Sequence, residues 1–342
     1  MLSGYYYDRL DERQKTAYQA LCSGIAGMQP SVRLNHSFSG EEARQILYAV
    51  QRENPEFYHC IFQLVLYRGG PSPRFEFEYL NTDAAAYGER FSELHGRIAA
   101  RLGGRRSEYD VCVAVHDVLA EWVSPDDESA DLVAQADAAG ADTQARAGIV
   151  RQIVESGAAA SFSAYGAVVN RRAVCMGIAS AAKIFLNSFG VDSALVGGVG
   201  PNNSAHMWNV VEMDGERYNL DITSDLPLDN FKFVRYNCCL VPDKIYARTF
   251  KADTALDCNG MKDCYFVKNH SYFKDFQGVL NFLEQVNFQK QRGTICFLYE
   301  GKLSEDYVNS YVSNILGARL RGYDVQVLAA SAGVFQCGAE RR

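Results

Sequence analysis

Apolar and polar residues alternate along the chain in patterns that predict a series of helices and strands. Apolar residues at helical spacing predict a helix over residues 8–28. The capping box Ser39-Gly40-Glu41-Glu42 predicts that a second helix begins there and runs to about residue 53. Residues 59–67 and 74–80 have the composition of strands, and the Gly-Gly-Pro break between them indicates a hairpin.

The middle of the chain has two longer helical patterns followed by shorter apolar runs. Helices are predicted over residues 83–102 and 107–123. The stretch 124–148 is rich in Asp and Ala, which indicates either a polar connection or a weak surface helix. Further along, apolar runs predict strands over 191–197 and 231–241.

The last part of the chain has the pattern of a small α/β unit. It predicts a helix over 275–290, a strand over 294–299, a helix over 304–321 and a strand over 323–328. The strand–helix–strand order favours a parallel pair of strands joined by a right-handed crossover.

The chain has 342 residues, a length beyond which a single hydrophobic core usually stops growing. We therefore predict three parts. Residues 1–105 form a helical N-terminal region with a β-hairpin, 106–250 form the central core, and 251–342 form a C-terminal α/β appendage.

A cysteine stands at the head of the most apolar predicted helix. That helix covers residues 177–189, with Gly190 placed to cap its C-terminus, and Cys175 lies at its start. Free N–H groups and the positive dipole end of a helix N-terminus favour the thiolate, which is the nucleophilic form of cysteine. Arg171 and Arg172 could hold that thiolate or bind a substrate carboxylate, or they could be solvated charges. A buried cysteine that only packs is the alternative for the thiol.

A predicted hairpin brings a histidine and an aspartate together. Asp214-Gly215 is a strong two-residue turn signal between two β-like runs. The resulting register pairs Trp208 with Asp221 and His206 with Thr223, so His206, Trp208 and Asp221 share one face. His206 and Asp221 are then diagonal neighbours, whereas a one-residue slip would separate them. The chain thus supplies a thiol, a base and an acid that orients the base.

These segments resemble the transglutaminase-like cysteine enzyme superfamily in its bacterial form. Members of that superfamily carry a cysteine on a helix, followed by a histidine and an aspartate on neighbouring strands. The resemblance covers roughly residues 5–245 and is carried by Ala164-Tyr165-Gly166-Ala167-Val168-Val169, Ala173-Val174-Cys175-Met176-Gly177, His206-Met207-Trp208-Asn209-Val210-Val211, Asp214-Gly215 and Leu220-Asp221-Ile222-Thr223.

The resemblance weakens outside the triad block. The segment from Tyr109-Asp110 to His116-Asp117 resembles the helix that precedes the core in this superfamily, and Glu53-Asn54-Pro55-Glu56-Phe57 resembles a common N-terminal segment. Ile178-Ala179 stands where an aromatic residue is frequent, and Ser224 stands where a tryptophan is frequent. Both departures concern the substrate pocket and leave the triad complete.

The resemblance implies a papain-like α+β fold, in which the nucleophile helix packs on an antiparallel sheet. It implies that Cys175 is the nucleophile, that His206 is the base and the acid for the leaving group, and that Asp221 orients the imidazole. Residues implied in substrate binding are Tyr165, Trp208 and Asn209. For Tyr165, a tyrosine packed in the core is an equal alternative.

Hydrolysis of a peptide or amide bond is the expected function, with a peptide or protein as substrate. Transamidation of protein glutamines, which crosslinks chains, is the alternative reaction for the same triad. A catalytically inactive binding or scaffold module on the same fold is the alternative from another functional class. The sequence leaves the oligomeric state open.

Composition narrows the partners and the compartment. Apolar residues make up 48% of the chain, and the net charge of −7 argues against a nucleic-acid-binding or anionic-membrane surface. No apolar run reaches the length of a membrane-spanning helix, and the first 14 residues lack the pattern of a secretory signal. Ten cysteines without framework spacing indicate reduced thiols, so a cytoplasmic location is expected.

Other chemical motifs are weak. Cys238-Cys239, Cys258, Cys264 and His270 could be taken as a metal site, but their spacing fits no common zinc pattern. Calcium-loop, P-loop and dinucleotide-binding motifs do not occur, so no metal or cofactor is expected. His116 lies in an apolar helical run and is expected to be a hydrogen-bonded core histidine.

Overall fold

The computed structural model describes residues 2–138, 143–287, 293–330 and 333–342. Helices and strands are mixed along the chain, as expected for an α+β protein. The helices are α1 Glu12–Ala26, α2 Gly40–Glu53, α3 Ala84–Leu102, α4 Glu108–Trp122, α5 Asp127–Ala138, α6 Thr143–Glu155, α7 Cys175–Ser188, α8 Asp243–Tyr246, α9 Tyr265–Lys268, α10 Phe276–Gln285 and α11 Glu305–Arg319.

In the described part of the chain, the strands form four separate sheets. Their orders are β1-β3-β2, β4-β5, β8-β7-β6-β9 and β10-β11-β13-β12. The strands are β1 Ser31–Arg33, β2 Leu66–Arg68, β3 Arg74–Glu76, β4 Ser124–Pro125, β5 Arg172–Ala173, β6 Ser193–Val199, β7 Ala205–Met213, β8 Glu216–Leu220, β9 Lys251–Ala252, β10 Tyr272–Phe273, β11 Thr294–Tyr299, β12 Tyr323–Ala329 and β13 Val334–Arg341.

The hairpin of β7 and β8 has the predicted register over part of its length. Met213 pairs with Glu216, and the ladder continues to the pair Asn209–Leu220. Both turn residues have positive φ (50° for Asp214 and 79° for Gly215), as a tight hairpin turn requires. The predicted pairs beyond Leu220 do not form, because β8 ends there and residues 223–225 make a 3₁₀ turn.

Helix α7 packs against β7 and β6 of this sheet. The predicted helix is confirmed, and it begins two residues earlier than the apolar run, at Cys175. Gly190 has φ 83°, and the N–H of Val191 donates to the carbonyl of Leu186 at 2.9 Å. This left-handed glycine ends the helix and turns the chain towards β6.

The N-terminal region pairs two helices with a small sheet. The capping box of α2 is confirmed, because Ser39 Oγ accepts from the N–H of Glu42 at 3.1 Å and Glu42 Oε2 accepts from the N–H of Ser39 at 2.7 Å. The hairpin of β2 and β3 forms, but the predicted strand over 59–67 is mostly wrong. Residues 62–64 are a 3₁₀ turn, and β1, which the pattern did not indicate, pairs with β3.

Two predictions in the middle of the chain need correction. The stretch 124–148 is largely helical, as α5 and the start of α6, and its residues 139–142 lie outside the described part. No strand occupies the described residues 231–241. The N–H groups of Asn237 and Cys238 instead donate to the buried carboxylate of Asp225, which removes them from any β ladder.

The C-terminal strands and helices form as predicted, but their topology differs. Strand β13 lies between β11 and β12 and is antiparallel to both, so β11 and β12 run parallel to each other as expected but are not hydrogen-bonded neighbours. Strand β10, also missed by the pattern, pairs with β11 in parallel. The largest hydrophobic core includes Leu2, Trp208 and Val334, so all three expected parts contribute to it. The three-part division therefore remains a prediction.

Candidate active site

Cys175 is the first residue of α7 and is partly exposed. The N–H of Val174 donates to the carbonyl of Ser161 at 3.1 Å, which fixes the entry into the helix. A Cβ on Gly177 would lie 2.4 Å from the same carbonyl oxygen, so only glycine allows this close approach. The first N–H groups of α7 have no acceptor within the helix. They lie at the helix end that carries Cys175.

His206 and Asp221 are directly hydrogen-bonded. Nε2 of His206 lies 2.8 Å from Oδ2 of Asp221. The carboxylate is buried and also accepts from the N–H of Ser224 at 3.1 Å and from the hydroxyl of Tyr246 at 2.9 Å. Asp221 follows β8 immediately, its N–H donates to the carbonyl of Cys238 at 3.0 Å, and the turn behind it holds the carboxylate.

The ionisation of this pair is strongly biased. Burial lowers the pKa of His206, but the negative charge of Asp221, its hydrogen bond and a hydrogen bond with Cys175 outweigh burial and raise that pKa to about 10. Burial raises the pKa of Asp221, whereas the charge and hydrogen bond of His206 and the hydrogen bonds from Ser224 bring it below its usual value. The imidazolium–carboxylate form is therefore favoured at neutral pH.

The other ring nitrogen is left for the thiol. Nε2 of His206 faces Asp221, so Nδ1 is the nitrogen that remains for Cys175, which lines the same cleft. The ring also packs against Trp208, at 6.0 Å between centroids, and Phe250, at 4.9 Å, and these two rings are 6.3 Å from each other. Two aromatic rings and one carboxylate thus fix the plane of the imidazole.

A cleft opens above these groups. It encloses about 860 Å³, part of it open to solvent, and both Cys175 and His206 line it. Its other lining residues include Gln51, Arg52, Phe162, Met176, Met207 and Asp253. The wall is mostly apolar, with one amide and one charged pair beside the triad.

Trp208 and Asn209, both expected in substrate binding, lie beneath the cleft. Each is 1% exposed. The indole Nε1 of Trp208 donates to Asn219 Oδ1 at 2.9 Å, and Nδ2 of Asn209 donates to the carbonyl of Ala179 at 3.0 Å. In this conformation neither side chain is available to a substrate, and Asn209 ties β7 to the nucleophile helix.

Tyr165 lies in an aromatic cluster away from Cys175. Its ring stacks on Tyr58 and Tyr87, with centroids 6.0 and 6.2 Å apart. Its hydroxyl accepts from the N–H of Asp83 at 3.2 Å, at the start of α3. This placement matches the core alternative, and Tyr165 does not line the cleft described above.

The two arginines before α7 face away from the thiol. Arg171 lies over the ring of Trp122, with 4.2 Å from its guanidinium carbon to the centroid. Arg172 pairs with Asp126 at 2.9 Å and with Glu128 at 3.0 Å. Their charges are engaged on the far side of β5, so the hypothesis that they hold the thiolate is not supported.

The remaining cysteines are ordinary thiols. Burial raises the pKa of Cys238, Cys239, Cys258 and Cys264, which makes each a poorer nucleophile at neutral pH. Within residues 2–138, 143–287, 293–330 and 333–342, no three His, Cys, Asp or Glu side chains are grouped to hold a metal ion. Across the same residues, no helix combines the length and apolarity needed to cross a bilayer.

Several cleft residues escaped the sequence analysis. Gln51 and Arg52 lie in the last turn of α2, and Asp253 follows β9, far from the triad in sequence. Tyr246 on α8 binds the triad carboxylate. None of the four belongs to a motif, so only the tertiary structure could have identified them.

Comparisons with known proteins give remote similarities only. No protein-family model and no curated protein matches the chain. A solved structure described as a TGase is 14% identical, covers 59% of this chain and 53% of its own, and has a TM-score of 0.33. A provisionally assigned cysteine protease from Cytophaga hutchinsonii is 11% identical over 48% of this chain and 55% of its own, with a TM-score of 0.26.

A third structure, a provisionally assigned protease from Parabacteroides distasonis, is 7% identical and has a TM-score of 0.25. It covers 80% of this chain and 60% of its own. The chain thus spans between 53% and 60% of the length of these three proteins. With TM-scores this low, the functional argument rests on the geometry of the chain's own residues.

Proposed function

We propose that this chain is a cysteine-dependent acyl-transfer enzyme of the transglutaminase-like superfamily. In this proposal it hydrolyses a peptide or amide bond through Cys175, His206 and Asp221. The observation that carries the proposal is the 2.8 Å contact between His206 and Asp221, beside a partly exposed cysteine at the start of a helix. Cys175 and His206 line one open cleft and Asp221 is buried behind the imidazole, which is the arrangement expected of a nucleophile, its base and the group that orients the base.

The proposed acylation uses the imidazolium as the proton source. Sγ of Cys175 attacks the acyl carbon, and the carbonyl electron pair moves onto its oxygen. When this intermediate collapses, the C–N bond breaks and the leaving amine takes the proton from Nδ1 of His206. The products are a thioester on Cys175 and a free amine.

Deacylation reverses these proton movements. His206 accepts a proton from water, whose oxygen attacks the thioester carbon and releases the acid and the thiolate. An amine in place of water gives a new amide, which is the transamidation alternative. The Asp221 carboxylate stays ionised and holds the imidazole in both steps.

The developing oxyanion needs hydrogen-bond donors, and the cleft offers two kinds. The free N–H groups at the start of α7 are one. The side-chain amide of Gln51 is the other, since its Nε2 donates to Met176 Sδ at 3.2 Å. The thioether sulfur of Met176 is a weak hydrogen-bond acceptor. The Gln51 amide can therefore donate instead to a stronger acceptor such as the oxyanion.

The experiment that tests the proposal is alkylation of each cysteine by iodoacetamide as a function of pH. Cys22 is the internal control, because it is also partly exposed while burial raises its pKa to about 11. The proposal expects Cys175 to react fast at pH 6 and to slow at least about tenfold in His206→Ala. If Cys175 reacts as slowly as Cys22 and ignores the mutation, the chain is better explained as a binding module.

A further inference from the structure

A second charged pair lines the cleft that contains Cys175. Arg52 Nη2 lies 2.7 Å from Asp253 Oδ2, and Nη1 lies 3.4 Å from Oδ1. The arginine side chain is 9% exposed, whereas the aspartate is 44% exposed. The carboxylate therefore faces the open side of the cleft, and the guanidinium forms part of its wall.

The structure around this pair holds it in place. Nη1 of Arg52 also donates to the hydroxyl of Tyr6 at 3.2 Å, and the ring of Tyr48 lies 5.3 Å from the guanidinium carbon. A Cβ on Gly197 would lie 2.3 Å from Nη2 of Arg52 and 2.9 Å from Oδ2 of Asp253. The pair thus rests directly on the backbone of β6, where a side chain would displace it.

One nitrogen of the arginine has no partner. Within the described part of the chain, Nε of Arg52 is buried and has no hydrogen-bond partner. A buried donor without an acceptor is unfavourable, so a bound molecule that brings an acceptor to the guanidinium would be favoured. Asp253, which is more exposed, offers acceptor oxygens beside it.

The opposite charges of Arg52 and Asp253 decide which chemical group of a substrate fits beside them. A carboxylate would be attracted by Arg52 but repelled by Asp253, and it would have to break an existing pair. An ammonium group meets the opposite conflict. A neutral amide carries both an acceptor and a donor, so it can bond to each member of the pair without leaving either charge uncompensated.

We propose that the Arg52–Asp253 pair makes the site selective for a neutral amide and against a free carboxylate next to the acyl group that Cys175 attacks. The substrate class is then an internal peptide unit or a carboxamide side chain, and a chain-terminal carboxylate at this position is excluded. This inference rests on the proposed function, because it assumes that Cys175 is the reacting group.

Two alkylating reagents of nearly equal size test the charge selectivity directly. Iodoacetamide carries a neutral amide and iodoacetate a carboxylate, and each loses iodide to Sγ of Cys175 as the S–C bond forms. The measured quantity is the ratio of the iodoacetate rate to the iodoacetamide rate at Cys175. It is compared among wild type, Asp253→Asn, Arg52→Gln and the control Asp257→Asn, which removes the same charge from an exposed residue nearby.

Substitutions of Asp253 and of Arg52 are expected to change the rate ratio in opposite directions. Asp253→Asn should raise the ratio about fivefold or more, because the arginine charge is no longer balanced, and Arg52→Gln should lower it. Asp257→Asn should match wild type. A ratio in Asp253→Asn equal to that of Asp257→Asn overturns the inference, and this variant carries the test alone if Arg52→Gln does not fold.

Failure of the selectivity is distinguishable from failure of the function. The ratio is independent of how fast the thiol reacts, so it can be read even from slow labelling. If Cys175 is labelled fast but the rate ratio does not change in the variants, the selectivity is refuted and the proposed enzyme function stands. If Cys175 is labelled slowly in every protein, the proposed function itself is refuted.

Discussion

Nε2 of His206 lies 2.8 Å from Oδ2 of Asp221, in a place where the carboxylate is 1% exposed. The two residues are not paired across a strand ladder, since β8 ends at Leu220. They meet because the turn after β8 directs the carboxylate back under the ring. This contact keeps the imidazole charged beside Cys175.

Asp221→Asn is expected to remove the interaction that keeps His206 charged. The carboxylate is the main group that keeps the pKa of His206 near 10 against the effect of burial, so the substitution should lower that pKa. Cys175 then loses its cationic partner, and iodoacetamide labelling at pH 6 should fall at least about tenfold while the rates converge at high pH.

The matched control for this prediction is Asp263→Asn. Asp263 is also a buried aspartate in an ion pair, 2.5 Å from Lys268, but it lies outside the cleft. Its substitution should leave the pH profile of Cys175 unchanged. An equal drop in both variants would point to a general loss of structure.

Gln51→Leu tests the proposed oxyanion donor. Removal of one such donor costs about 10²–10³-fold in the rate of acyl transfer. Acylation of Cys175 by p-nitrophenyl acetate should therefore slow, whereas alkylation by iodoacetamide, which forms no oxyanion, should not. Gln63→Leu is the control, because Gln63 also donates to Met176 Sδ, at 3.5 Å, but does not line the cleft. Equal acylation rates in the two variants would remove Gln51 from the mechanism.

Gly177→Ala is expected to displace the start of the nucleophile helix. The added Cβ would lie 2.4 Å from the carbonyl oxygen of Ser161 and 2.8 Å from that of Ser163, both of them backbone atoms. We expect a loss of about 1–3 kcal/mol in the free energy of unfolding, together with slower labelling of Cys175.

The control is Gly96→Ala on α3, where a Cβ meets no atom within 4 Å. There the same substitution should stabilise the protein by about 0.5–1 kcal/mol, because alanine is the better helix former. Urea unfolding of both variants measures the difference. A stable Gly177→Ala protein with normal labelling would contradict the close approach.

His116 is expected to make stability depend on pH. Its ring is buried between Asp117 and Asp225, with Nδ1 and Nε2 each 3.2 Å from a carboxylate oxygen. Burial lowers the pKa of His116, but the two hydrogen-bonded carboxylates raise it from 6.5 to about 9. Since the folded value exceeds the unfolded one, this contribution is complete below pH 6.5 and is lost as pH rises through about 9.

His116→Gln should therefore destabilise the protein by about 3 kcal/mol at pH 6, because it leaves the buried carboxylate of Asp225 without its cation, whereas Asp117 keeps its ion pair with Arg101. The difference from wild type should shrink as pH approaches 10, as measured by urea unfolding. The exposed His36→Gln serves as the control. A difference that stays constant from pH 6 to pH 10 would show that His116 is neutral in the folded protein.

Local signals in the sequence determined the elements that hold two triad residues. The capping box of α2, the apolar run of α7 and the Asp214-Gly215 turn each act over a few residues, so their structural consequence can be inferred from the residues alone. The turn also determined the register up to Asn209–Leu220, and that register brings His206 close to the position where Asp221 begins its turn.

Competition for hydrogen bonds between residues far apart in the sequence determined the features that local patterns did not predict. Residues 231–241 have the composition of a strand, yet the buried carboxylate of Asp225 takes the N–H groups that a ladder would need. Strand β13 likewise separates the parallel strands β11 and β12, because it forms an antiparallel ladder with each of them. Such outcomes depend on partners about 10 to 40 residues away, which no local pattern encodes.

The sequence by itself indicated which residues supply the thiol, the imidazole and the carboxylate of the proposed chemistry, because Cys175 precedes an apolar helical run and the Asp214-Gly215 turn brings His206 and Asp221 close together. Only the tertiary structure decided what surrounds them. It buried Trp208 and Asn209 beneath the site and placed Gln51, Arg52 and Asp253 in the cleft. These side chains come from α2 and from the segment after β9, and packing against β6 brings them together. The spacing of these residues along the chain does not predict that packing.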